Sequence, residues 1–264
     1  MPNPLHYLVY DIETITDKKL LQRVLYPGRE GQEEETFREH LQELAAEGRD
    51  FINPGFHRPV AIAAVAVNSD FEIAKIGLLG KDRPGTRGLV EHFWETYNQH
   101  RPVLVDFNGK GFDMRLLELW AFRLGISIDS FHFGRNGPRY RFSEDSHFDL
   151  HEFLTNFGAI RWRGGLNLFA KILGKPGKME TQGHMVQDLF DQGKIFEIED
   201  YCLSDAMDTY FVFLRTLLMR GILDLGREKT LVEAARDKIA EVKDKDGYFK
   251  NYLENFHFWD PAQG

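Results

Sequence analysis

One cysteine, no long apolar run and a deficit of positive charge set the first limits on this chain. Cys202 has no partner for an intrachain disulfide, which fits a reducing cytoplasm. The longest stretch free of Asp, Glu, Lys and Arg within the apolar segments is Pro59 to Ser69, eleven residues, against the ~20 that a membrane-spanning helix needs. The opening Met-Pro-Asn-Pro-Leu-His lacks a basic segment followed by an apolar one, so neither a secretory signal nor a transit peptide is expected. Lys and Arg total 33 against 41 Asp and Glu, a formal net charge of −8, which excludes a coat protein that neutralises phosphate broadly. An enzyme needs only a local basic patch, so enzymes are not excluded. No histidine stands at zinc-ligand spacing with a cysteine. The glycines at 221 and 226 are followed by Arg227-Glu228 in place of Lys-Ser/Thr, which removes a nucleoside triphosphate loop.

What is present is an ordinary globular balance, 42% hydrophobic and 28% charged over 264 residues, enough for one sizeable core with insertions. His6 to Tyr10 reads as a strand that delivers Asp11. Asp17 to Asp50 is acidic, with Glu33, Glu34 and Glu35 beside a helical stripe of Phe37, Leu41, Leu44 and Ala45, and reads as a partly solvated helical insertion at about 17–52. Pro59 to Val67 and Phe71 to Leu79 read as strands joined through Asn68-Ser69-Asp70. A helix over Gly88 to Tyr97, a strand over Val103 to Phe107 and a helix from Phe112 to Leu124 follow. Phe131-His132-Phe133 and Tyr140-Arg141-Phe142 flank Asn136-Gly137-Pro138 and predict a second hairpin, before a strand ending at Asp149. A short helix at Leu166 to Leu173 stops at Gly174, a long one spans Ile195 to Met219, and a charged helical tail ends in Phe256, Phe258 and Trp259. This order predicts an α/β fold, a mixed β-sheet flanked by helices.

Three acidic elements punctuate it. In Asp11-Ile12-Glu13 the two-residue spacing on a strand puts both carboxylates on one face, at the end of an apolar run where unpaired charge is costly. In Phe107-Asn108-Gly109-Lys110-Gly111-Phe112-Asp113 a glycine-rich turn places an acid at a helix start. In Tyr201-Cys202-Leu203-Ser204-Asp205 the four-residue spacing stacks a phenol and a carboxylate on one helix face. Each has a plain alternative. Asp-x-Glu occurs at exposed strand ends, Asp113 suits a helix cap, and Asp205 could be one surface acid among Asp200 and Asp208. Asn108 would brace the turn, and Asp149 reads as a structural hydrogen-bonding acid.

Taken in this order, the three elements resemble the DEDD exonuclease superfamily, and Tyr201 four residues before Asp205, with Asp200 at the position five before, resembles its tyrosine branch. Leu173-Gly174-Lys175-Pro176-Gly177-Lys178 and the stretch from Tyr201-Cys202 to Arg215 look like stand-alone exonucleases related to the family B DNA polymerase proofreading domain; Arg115 and Asp106 depart from that pattern. The resemblance implies a ribonuclease H-like fold over residues 1–225 with a helical C-terminal extension at 226–264. It implies 3′-to-5′ hydrolysis of phosphodiester bonds, most readily in single-stranded DNA, with Asp11, Glu13, Asp113 and Asp205 holding two Mg²⁺ or Mn²⁺ ions and Asp11 bridging them. Four carboxylates offer the hard oxygen ligands such ions take. Tyr201, whose ordinary pKa of ~10 keeps it protonated, is expected to orient the attacking water.

Substrate contacts are expected from Asn108 and Phe112 at the turn and from Arg161, Arg163, Lys175 and Lys178. Gly158 to Met185 carries five basic residues against Glu180, a local net of +4 in an acidic chain, with Trp162 nearby for base stacking. The predicted hairpin adds Arg135, Arg139 and Arg141 among aromatics. An exoribonuclease of the same superfamily, or a catalytically silent nucleic-acid-binding module, stays open. A protein partner at the aromatic C-terminal tail stays open too, as does a cytoplasmic location.

Overall fold

The computed structural model describes residues 5–49, 51–83, 85–178 and 185–260; Asp50, Glu180 and the end of the C-terminal extension lie outside them. Five strands form one sheet: β1 (Tyr7–Thr16), β2 (His57–Val67), β3 (Ile73–Leu78), β4 (Val103–Asp106) and β5 (His147–Asp149), in spatial order β3-β2-β1-β4-β5. β1 pairs antiparallel with β2, and β2 with β3, through the expected hairpin. β1 and β4, and β4 and β5, pair parallel across helical connections α3 (Gly85–His100) and α4 (Asp113–Leu124). This is the predicted mixed α/β sheet.

Alternation along β1 divides the protein into two layers. Leu8, Tyr10 and Ile12 face a core with Phe93 and Trp94 of α3 and Leu117 and Trp120 of α4. Val9 and Ile15 face the opposite core, which is dominated by α8 (Ile195–Met219). Asp11 and Glu13 share that second face, so their carboxylates point toward α8. Among the described residues no helix is long and apolar enough to cross a membrane.

The insertion forms α1 (Lys18–Leu25) and α2 (Glu33–Ala46) around a small core of Leu21, Phe37, Leu44 and Ile52. Leu41 and Ala45 of the expected stripe are exposed. The stripe is therefore narrower than its periodicity implies, because only one short helix packs against it.

The predicted hairpin around Asn136 is absent. Ser130–Phe133 is a short 3₁₀ turn whose Phe131 amide donates to the Asp129 carboxylate, and the chain continues through tight turns to Ser143. Gly137 explains the difference: a Cβ there would lie 1.9 Å from the Phe131 carbonyl oxygen, so the segment folds back on itself too closely for a ladder. After β5 come the short helices α5 (Leu150–Thr155), α6 (Leu166–Ile172) and α7 (Val186–Asp191). After α8, α9 (Leu225–Asp246) and α10 (Lys250–Glu254) lie against it, and Leu231, Ile239, Phe249, Tyr252 and Phe256 join the α8 core. The aromatic tail thus packs on its own chain, with Phe256 buried and Phe258 half exposed.

Candidate metal centre

Asp11 and Glu13 come from the middle of β1, beside a bulge where the pairing with β2 skips Val60. Asp205 comes from α8, which touches β1 here through the Cys202 thiol donating to the Asp11 carbonyl at 3.4 Å. Oxygens of Asp11, Glu13 and Asp205 lie within 4.8 Å of one another. Asp113 is the first residue of α4. β1 outruns β4, whose pairing stops at Val9 with Val105; burial raises the Asp113 carboxyl well above its ordinary range, and the Ile12 backbone opposes this. The Asp113 charge is felt by both Asp11 and Glu13.

The electrostatics are compatible with cation binding. Burial, then the neighbouring carboxylates Asp205, Glu13 and Asp113, hold the Asp11 carboxyl well above its ordinary range. Glu13 is raised by burial and then by Asp205 and Asp113, against the opposing charge of Lys178. Asp205 is pushed up to about 6 by burial, against a hydrogen bond from the Tyr201 hydroxyl and the charge of Lys178. Asp11 Oδ2 is buried with no hydrogen-bond partner, a state proteins avoid unless something else is to be bound. An all-oxygen set with one orphaned atom fits a hard divalent cation. Tyr201 is raised far above its ordinary value by burial and by the carboxylates around it, so it is a proton donor only.

The turn that delivers Asp113 is fastened from beneath. Asp149 accepts from the amides of Asn108 and Lys110 at 2.9 and 3.1 Å and also caps α5, which is the structural role its sequence predicts. Asn108 adopts φ 74° and its carbonyl accepts from the Gly111 and Phe112 amides, bracing the turn as expected. Asp106, only 1% exposed, was read merely as a departure from the family pattern. It accepts from the Tyr10 hydroxyl at 2.7 Å and the Gly109 amide at 3.0 Å, and pairs with His147 Nε2 at 2.6 Å. A Cβ on Gly109 would fall 1.9 Å from its carboxylate. Tyr10 next to Asp11 and His147 two before Asp149 were the available signals.

Of the other expected contacts, Phe112 meets His57 and Phe51 edge-on, beside the Thr14 hydroxyl that bonds His57. Arg161 and Arg163 are exposed, and Lys178 acts on Glu13 and Asp205. Lys175 needs correction. It is 3% exposed, its ammonium donates to the His257 carbonyl at 2.7 Å and lies 4.0 Å from the Phe256 ring centroid, so it holds the tail in place and meets no phosphate. Asp200 and Asp208 are not solvated neighbours of Asp205 either. Asp200 accepts from the Phe249 amide at 2.6 Å and Asp208 from the Tyr252 hydroxyl at 2.6 Å, clamping the C-terminal segment to α8.

Asp208 also makes a pH prediction. Burial pushes it up to about 8, against the Tyr252 hydrogen bond. A carboxyl whose folded value exceeds its unfolded one costs stability progressively as pH rises from the ordinary range toward the folded value. Metal-free protein should therefore melt lower at about pH 7.5 than at about pH 5, and Asp208→Asn should shrink that difference by a few degrees, roughly the shift that 1–2 kcal/mol produces. Melting curves of the two proteins in EDTA decide it; parallel pH profiles would refute the buried-acid assignment.

A model of a family described as predicted 3′-5′ exonucleases related to the exonuclease domain of PolB matches residues 49–256. That span contains Asp113, Tyr201 and Asp205 and starts after Asp11 and Glu13, which β1 brings to them. No curated protein matches the chain. With a ribonuclease H-like mixed sheet, a clustered acidic site and a match over most of its length, the chain belongs to this family of predicted 3′-5′ exonucleases.

Proposed function

We propose that the chain hydrolyses nucleic acid from the 3′ end at a centre of two divalent ions, Mg²⁺ or Mn²⁺, held by Asp11, Glu13, Asp113 and Asp205, in the manner of the tyrosine branch. The observation that carries this is the convergence of Asp11, Glu13 and Asp205, with Asp11 Oδ2 buried and without a hydrogen-bond partner. The bound ions supply acidification of the attacking water and neutralisation of the charge that develops on the leaving 3′-oxygen. Asp11 and Glu13, fixed on a strand, and Asp113 and Asp205, fixed on helices, hold the oxygens that receive them. Tyr201, protonated throughout, orients the water from the Asp205 side. The water's oxygen bonds to phosphorus, the bond to the 3′-oxygen breaks, and a nucleoside 5′-monophosphate leaves. Lys178 supports the site with positive charge near Glu13 and Asp205. Single-stranded DNA is the favoured substrate, and Arg161 and Arg163 are available to its phosphates.

Purified protein incubated with 5′-labelled single-stranded DNA, duplex DNA and RNA, in Mg²⁺, Mn²⁺ or EDTA, tests this. A ladder that shortens from the 3′ end and vanishes in EDTA is expected; binding without shortening would identify a silent module, and faster loss of RNA an exoribonuclease. Tyr201→Phe should lower turnover about tenfold to a hundredfold, the range of a misplaced reactant, with KM little changed. Unaltered turnover would remove Tyr201 from the site.

A further inference from the structure

Against the Asn108–Gly111 turn lies a cleft of about 380 Å³ that is also lined by Arg141 and Phe157. The chain at Phe157 has an unusual backbone. Asn156, Phe157 and Gly158 are left-handed in succession, with φ of 49°, 56° and 86°. Non-glycine residues enter this region at a steric cost, and runs of them persist only where the surroundings fix them. Here the Phe157 amide donates to the Glu152 carbonyl and the Gly158 amide to the Thr155 hydroxyl. The result is a Phe157 ring turned outward, 40% exposed, instead of inward.

Phe142, 61% exposed, packs against Phe157 with centroids 5.5 Å apart. The Arg141 guanidinium lies 6.0 and 5.8 Å from the two centroids and is held by Glu152 at 2.8 Å, while the Lys110 ammonium donates to the Arg141 carbonyl. Arg115 stands on the facing wall, oriented by Glu118 and the Lys110 carbonyl. Lys110 and Arg141 pair with Glu152 and Arg115 with Glu118, three cations against two carboxylates, which leaves a local excess of one positive charge in a chain of net charge −8. Two partly exposed aromatic rings and two guanidinium groups fixed by carboxylates match one kind of occupant, a strand whose bases are unpaired and whose phosphates run alongside. A duplex presents no free base faces to such rings. Asn108, Lys110 and Gly111 in its lining belong to the turn that delivers Asp113, so the cleft adjoins the segment that carries one of the acids.

We propose that this cleft holds the nucleotides on the 5′ side of the scissile bond, with bases stacked on Phe142 and Phe157 and phosphates on Arg141 and Arg115, and that it confers preference for single-stranded nucleic acid. The proposal rests on the exonuclease reading of the carboxylates, so its test is a binding measurement that needs no cleavage. Fluorescence anisotropy in EDTA would compare 5′-labelled oligothymidylate and oligouridylate of about a dozen nucleotides, and a DNA duplex of the same length, on wild type, Phe142→Ala/Phe157→Ala and Phe142→Tyr/Phe157→Tyr. The alanine pair should weaken single-strand binding on the order of tenfold per ring, the tyrosine pair should restore it, and duplex binding should not change. The oligothymidylate and oligouridylate arms separate DNA from RNA as the stacked strand. Arg141→Gln should flatten the salt dependence of binding. Equal single-strand affinity in the alanine pair and wild type, or an equal loss on duplex, would overturn the proposal. Shortening of the oligonucleotide in Mg²⁺ is scored separately and reports on the carboxylates alone.

Discussion

Asp205→Asn is expected to reduce turnover about a thousandfold or more, because charge stabilisation by bound metal contributes several kcal/mol to the transition state. The same substitution should leave metal-free protein as stable as wild type or more so. Burial raises the Asp205 carboxyl to about 6, so above that pH its ionised form is a cost to the folded state that the amide does not incur. At about pH 8 in EDTA the variant should melt at or above wild type, and at about pH 4, where the folded carboxyl is protonated and the unfolded one about half so, most of that advantage should fade. Adding Mg²⁺ or Mn²⁺ should invert the order. A ligand at 100 times its Kd stabilises by about 2.7 kcal/mol, and only the intact set receives it. Melting curves at both pH values, with and without metal, test the scheme together with turnover. A variant that is both fully active and metal-stabilised would place the cations elsewhere.

The second large effect belongs to a residue that touches no substrate. Asp106→Ala should destabilise by about 3–5 kcal/mol, because each buried polar group left without its partner costs about 1–3 kcal/mol. It leaves the Tyr10 hydroxyl, the Gly109 amide and His147 facing a cavity without an acceptor. For a chain of this length that amounts to roughly 6–20 °C in Tm. The turn carrying Asp113 should loosen with it, so activity at low temperature should fall through weakened metal affinity. Denaturant unfolding of the variant, with turnover measured against metal concentration, checks both parts. Wild-type stability would show that the three donors find water or new partners.

Most of the site was legible because strand periodicity is unambiguous. With Ile12 committed to the α3 and α4 core, Asp11 and Glu13 had to face the other way. Asp205 was legible through Tyr201, and α8 ends at the residues its apolar pattern indicates. What could not be read was long-range closure. Asp106, Asp200 and Asp208 look like any other acids until Tyr10, His147, Phe249 and Tyr252 arrive from 41 to 96 positions away in sequence. Lys175 fails for the same reason, since the aromatic cage that removes it from solvent comes from the C-terminal segment. The false hairpin at Asn136 has a local cause. Turn-forming residues flanked by aromatics specify a reversal, and whether strands or a 3₁₀ turn flank it is decided by the close backbone approach at Gly137.

The clamp between α8 and the C-terminal segment has a consequence for the birth of the molecule. The acids span positions 11 to 205, and the helix bearing the last of them is fastened by groups at 249 and 252. A chain emerging from the ribosome therefore carries its first two acids long before it can close a centre around them. Nascent chains stalled before residue 249 should be inert toward nucleic acid and should become hydrolytic only on release of the following segment.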